Sequence, residues 1–111
     1  MTPTLHRWLP KWAPMDGIVL FGLVLLKKAT KPGLVEHELV HWRQGLGSRF
    51  KYHFRYTFSR KWRVAYEAEA YAVQVRMGEE SVGWCATKLS GPQYLWPCSY
   101  ESALGEIQSR V

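Results

Sequence analysis

Cysteine is scarce in this chain of 111 residues: Cys85 and Cys98 are its only two, with Gly91-Pro92 between them. Two thiols make one disulfide at most, which excludes a small scaffold stapled by several bridges. Neither has the close Cys or His partner of a structural zinc centre, so both are expected to be reduced and buried. Long apolar runs are missing as well. The stretch from Ile18 to Leu26 covers nine residues, whereas a membrane-crossing helix needs about 20. It does not suit a secretory leader either, because Asp16 interrupts its approach and Lys27-Lys28 stand where a small-residue cleavage site belongs. The expectation is a cytoplasmic protein with no targeting segment and no membrane partner. Repeats, linkers and low-complexity segments are also lacking, and residues 1–111 suit a single domain around a single core.

Acidic residues are few, 9 against 15 Lys and Arg, for a formal charge of +6. The cations gather in the first 31 residues and again from Arg43 to Arg63. Such a face attracts nucleic acid or another anionic surface, but no finger, RRM-like or dinucleotide motif accompanies it. A solvated basic surface is the preferred reading, and nucleic acid is not an expected partner. Arg49, Lys51, Arg55, Arg60, Lys61 and Arg63 alternate with aromatics, a pattern of amphipathic helices that bury rings and solvate charges. The composition, 47% hydrophobic with 6 Trp and 6 Tyr, is globular and excludes disorder. A domain this small buries a limited share of its surface, so a bound metal would help stabilise it.

The expected elements follow from pattern and punctuation. Pro3, Pro10 and Pro14 break up an N-terminal arm whose Leu5, Trp8 and Trp12 should pack onto the domain. Ile18 to Leu26 reads as one strand or two short ones, with Gly22 at a turn or bulge. A helix should run from about Gly33 to Leu46, capped by Thr30 or a neighbour. On it Val35, Leu39, Trp42 and Leu46 form a core stripe, while His37, His41 and Gln44 share another face with Leu34. A second helix over about 48–59 would carry the stripe Phe50, His53, Phe54 and Phe58. A third runs from about Val64 to Met77 and stops at Gly78. No long periodic segment is expected over 79–97, and a terminal helix capped near Ser99 should turn Ala103, Leu104 and Ile107 inward.

The first helix contains His37-Glu38-Leu39-Val40-His41. Imidazoles four residues apart converge on one helical face, and neutral imidazole suits Zn²⁺. Glu38, at the adjoining angular position, is poorly placed as a ligand and well placed to take a proton from an activated water. Two imidazoles leave a catalytic zinc site one ligand short. The segment Tyr66-Glu67-Ala68-Glu69-Ala70-Tyr71-Ala72 offers a carboxylate from a second helix across an Ala-lined contact. Glu67 shares a face with Ala70, Tyr71 and Gln74, and Glu69 projects far round the helix, so only one can point at the ion. Glu67 is preferred and Glu69 is the alternative; Asp16 and Glu36 are poorer ligands. Gln44 could orient a ligand from behind, and Tyr66, Tyr71 and His53 are candidates to stabilise an oxyanion, each with a competing role in packing or at the surface.

This pairing of a His-Glu-x-x-His helix, continued by Trp42-Arg43-Gln44, with a downstream Tyr66–Ala72 segment resembles the gluzincin class of zinc metallopeptidases. It is most similar to the minimal phage or bacterial members, which would place the chain in a bacterial host. The likeness covers residues 16–78. In that class the third ligand opens a Glu-x-x-Ala-Asp pattern; Glu67 and Ala70 match it, Tyr71 replaces the Asp, and Glu69 with Ala72 would also satisfy Glu-x-x-Ala. The resemblance implies an α+β, compact, mainly helical zincin-like domain with a strand or hairpin before the zinc helix. It further implies a Zn²⁺ cofactor on His37, His41 and Glu67, Glu38 as general base, and a peptide or protein substrate laid along the upstream strand. The competing expectation is a non-catalytic binding or structural protein that keeps zinc for stability and uses its basic surface.

Overall fold

In the computed structural model, which describes residues 3–111, the strands come first and the helices follow, an α+β arrangement. Strands β1 (Leu5–His6), β2 (Gly17–Leu20) and β3 (Leu23–Leu26) form a sheet in the order β1-β3-β2. β2 and β3 pair as an antiparallel hairpin, Leu20 opposite Leu23 and Gly17 opposite Leu26, and β1 runs parallel to β3. The apolar run of Ile18 to Leu26 is therefore two strands. Phe21 and Gly22 make its turn with φ of 47° and 88°, the positive values that let a two-residue turn follow the strand twist. Glycine reaches them without steric penalty. β2 lies at the edge of the sheet and, among the described residues, pairs with β3 alone.

Helix α1 spans Pro32–Gln44. Proline in its first turn has no N–H to leave unsatisfied. Its N-cap is Lys31, the neighbour of Thr30, which makes no side-chain bond; the Gly33 N–H donates instead to Glu79 Oε2 at 2.6 Å. Helices α2 (Arg49–Phe58), α3 (Arg60–Arg76), α4 (Val82–Leu89) and α5 (Tyr100–Gln108) each begin at a serine whose side chain accepts a backbone N–H of the first turn. Helix α3 starts earlier than the Val64 expected. Helix α4 lies where no long periodic segment was expected, because eight residues give only two turns of pattern and Gly83 interrupts it. Ala103 and Ile107 are buried as expected, with Leu104 half-buried. No helix among the described residues is long and apolar enough to cross a membrane.

The apolar interior is divided rather than single. One cluster joins Val64, Ala68 and Tyr71 of α3 to Cys85, Ala86 and Leu89 of α4 and to Ala103 and Ile107 of α5. The other joins Val19, Val24 and Leu26 of the hairpin to Trp42 of α1. Helix α1 contacts the sheet and α3, and α3 contacts α4 and α5 in turn. The α1–α3 interface, between the two clusters, is where buried polar groups collect: His37, His41, Glu67 and Gln74.

Three expected faces are corrected by this packing. On α1 both the Trp42 face and the histidine face are buried, and Leu46, beyond the helix end, is exposed. On α2 the buried residue is Tyr52, while Phe50, Phe54 and Phe58 are 76%, 57% and 74% exposed. In the N-terminal arm Leu5 joins the sheet, but Trp8 and Trp12 are 70% and 84% exposed and do not pack inward.

Candidate metal centre

His37 and His41 stand one turn apart on the face of α1 turned to α3, and Glu67 meets them from the middle of α3. Glu67 Oε1 is 3.1 Å from His37 Nε2 and 2.9 Å from His41 Nε2, and the two Nε2 atoms are 3.3 Å apart. All three side chains are buried. With metal–ligand distances of 2.0–2.1 Å, two ligand atoms of a tetrahedral ion lie about 3.3 Å apart, so this triangle fits one. The group can hold a metal ion.

Each imidazole is fixed from behind. His37 Nδ1 donates to Gln74 Oε1 at 2.7 Å, and His41 Nδ1 donates to Gln44 Oε1 at 2.9 Å. Both amides are themselves oriented, Gln44 Nε2 donating to the Tyr66 carbonyl at 3.0 Å and Gln74 Nε2 to Glu79 Oε1 at 3.3 Å. With Nδ1 carrying the proton, the Nε2 lone pairs face Glu67, the tautomer a metal requires. The second oxygen of Glu67 accepts a hydrogen bond from Tyr56. Glu79 extends the chain to the N–H of Gly33, so the start of α1 and the His37 ring share one support.

Three electron-rich atoms this close need a cation or a proton among them. Without metal the proton goes to His41: burial works against its charge, but Glu67 outweighs burial and pushes the imidazole up to about 9. Burial likewise opposes the Glu67 carboxylate, and the attraction and hydrogen bonds of His41 and His37 hold it well below the usual carboxylate range. The site is therefore ready for positive charge.

Glu38 lines a cavity of about 420 Å³ together with His37, His41, Glu67 and the whole of β2. It is buried and has no hydrogen-bond partner among the described residues. Burial raises its pKa, the neighbouring imidazoles only partly offsetting it. Space for this side chain depends on Gly17, where an added Cβ would lie 2.8 Å from Glu38 Cγ. Tyr52 also lines the cavity, and its hydroxyl has no partner among the described residues, while those of Tyr56 and Tyr71 are bonded to Glu67 and Tyr94.

Of the residues singled out in the sequence, His37, His41, Glu67 and Glu38 come together, and Gln44 supports His41 as expected. Glu69 is exposed on the other side of α3 and is no ligand. Asp16 pairs with Lys27 at 3.2 Å. Tyr66 packs against Tyr52 and Trp62 outside the cavity wall. Tyr71 sets its ring edge-on to His37 at 4.6 Å, and it is Gln74 that accepts the His37 Nδ1–H. His53 is drawn to the hairpin, accepting the Phe21 N–H at 2.7 Å. Both cysteines are free, Cys85 buried and Cys98 partly so. Gln74, Tyr56, Tyr52, Glu79 and Gly17 were missed as site residues. Gln74 had a signal: it follows Glu67 by seven residues, two turns along the same face.

No family model, curated protein or solved structure matches this chain.

Proposed function

We propose that this chain is a zinc-dependent peptidase in which Glu38 is the general base. The observation that carries the proposal is Glu38 itself: a buried carboxylate with no hydrogen-bond partner among the described residues, its pKa raised by burial, opening into the cavity that the His37–His41–Glu67 group lines. A purely structural metal site has no use for such a group, and burying one is unfavourable.

His37, His41 and Glu67 would hold the ion, and two imidazoles with one carboxylate are a donor set of hydrolytic zinc that leaves a position open. When bound, zinc supplies Lewis acidity and makes water nucleophilic at neutral pH. Glu38 then takes the proton from the attacking water and returns it to the departing amine. The Tyr52 hydroxyl, kept protonated by burial and by Glu67, is the donor for charge developing on the substrate carbonyl. The free edge of β2, running along the same cavity, suits an extended peptide that adds to the sheet through main-chain bonds. The likeness of the two-helix motif to gluzincins agrees with this substrate class.

The test is hydrolysis of a quenched-fluorescent peptide library by the zinc-loaded chain and by its Glu38→Gln variant. The variant should keep its zinc and lose turnover. Equal turnover by the two would remove Glu38 from the mechanism, and absence of turnover in both would favour a zinc-stabilised binding protein.

A further inference from the structure

We infer that the outer face of α2, together with the tip of the β2–β3 hairpin, docks on an anionic lipid bilayer as a peripheral contact. Phe50, Phe54 and Phe58 recur every fourth residue and stand on the solvent side of α2, more than half exposed. Phe54 and Phe58 pack on each other with centroids 5.1 Å apart. The hairpin tip continues the surface, since Phe21 sets its ring 4.4 Å from that of His53 on α2, and Leu20, Phe21 and Leu23 are all exposed. Two segments distant in sequence thus meet at His53 and both carry exposed apolar side chains, and exposed apolar surface of this kind marks a contact.

Charge identifies the occupant. No Asp or Glu occurs between Glu38 and Glu67, while Arg43, Lys51, Arg60 and Lys61 in that interval are exposed. The Arg55 guanidinium lies 4.1 Å over the ring of Trp62, which is itself 41% exposed and adds an indole beside the phenyl stripe. A short helix with phenyl rings on its outer face and cations at their flanks lies in the plane of a membrane interface, rings in the acyl boundary and cations among the headgroups. Two other occupants fit less well. A second copy would bring two unneutralised basic faces together across a two-fold axis. Nucleic-acid stacking surfaces line grooves that follow the strand, whereas Phe50, Phe54 and Phe58 stand outside both main cavities.

Co-sedimentation of the full chain with phosphatidylcholine vesicles, with and without about 30% phosphatidylserine, tests the inference. The chain should pellet with the anionic vesicles and stay in solution with neutral ones. Phe50→Ser/Phe54→Ser/Phe58→Ser should weaken the partition about tenfold or more. Lys51→Gln/Lys61→Gln should weaken it about 25-fold, roughly fivefold per charge. All these positions are exposed, so both variants should melt with the wild type, and the lysine pair tests the surface independently of the rings. Failure of the wild type to bind anionic vesicles overturns the inference, as does binding that neither variant weakens. Tighter binding to a single-stranded oligonucleotide, lost in the triple variant, would assign the surface to nucleic acid. A dimer dissociated by the triple variant, without vesicle binding, would assign it to a second copy.

Discussion

Gly17→Ala should uncouple metal binding from turnover. The added methyl would lie 2.8 Å from Glu38 Cγ, 3.2 Å from Glu38 Cδ and 2.9 Å from Leu26 Cδ2. Comfortable carbon contacts begin at about 3.5 Å, so the overlap is roughly 0.7 Å. The backbone at Gly17 is not left-handed, so the cost of alanine there comes from these contacts rather than from its φ. Leu26 is fully buried among Val19, Val24 and Trp42 and cannot yield freely. Glu38 borders the cavity and gives way instead. Overpacking of this kind costs about 1–3 kcal/mol, which for a chain of this size lowers the melting temperature by roughly 4–12 °C. If Glu38 is the general base proposed above, displacing it by a fraction of an ångström to 1 Å should reduce kcat by about 10- to 100-fold. The three atoms nearest the new methyl belong to Glu38 and Leu26 and not to His37, His41 or Glu67, so metal content should stay at the wild-type level. Calorimetry, peptide hydrolysis and metal analysis on one preparation check all three. An unchanged kcat, or loss of zinc together with activity, would refute the reasoning.

Glu67→Gln should abolish tight metal binding while Glu69→Gln keeps it; the reverse in a metal titration would contradict the geometry. Since His41 is held protonated up to about pH 9 in the metal-free chain, loading the ion must expel a proton. Apparent affinity should then rise about tenfold per pH unit and level off near 9, and calorimetry in buffers of different ionisation enthalpy should find one proton released at neutral pH. The same group affects folding without metal: its raised pKa stabilises the chain below the unfolded value of 6.5, and that contribution disappears as pH rises through about 9. Arg63 is buried, donating to the carbonyls of Tyr56, Thr57 and Tyr94 at 2.8, 2.7 and 3.1 Å. Arg63→Leu strands these acceptors and should cost about 3 kcal/mol or more in urea unfolding; an unshifted midpoint would show that the bonds contribute nothing.

The legible parts of this chain were those whose information is local. The His37–His41 spacing, the start of the second helix near Ser48, the Ser99 cap of the last helix, and the turn at Gly22 each depend on a few neighbouring residues. Direction was less accessible. On α2 both Phe50-Phe54-Phe58 and Tyr52-Tyr56 recur at four, and periodicity says which residues share a face without saying which face turns inward. The tyrosine face wins because the Tyr56 hydroxyl satisfies a buried oxygen of Glu67, a contact that periodicity does not encode. The choice of Glu67 over Glu69 was open for a related reason: both carry alanine three residues on, and only the packing of α3 on α1 separates them. Glu79 capping α1 from 46 residues away leaves no local trace at all.

Anomalous diffraction at the zinc edge from crystals of the zinc-loaded chain tests the central claim most directly. One peak is expected, within 2.0–2.2 Å of His37 Nε2, His41 Nε2 and a Glu67 carboxylate oxygen, with Glu38 outside the ligand set. A peak ligated by other residues, one in which Glu38 is itself a ligand, or no peak at all would contradict it.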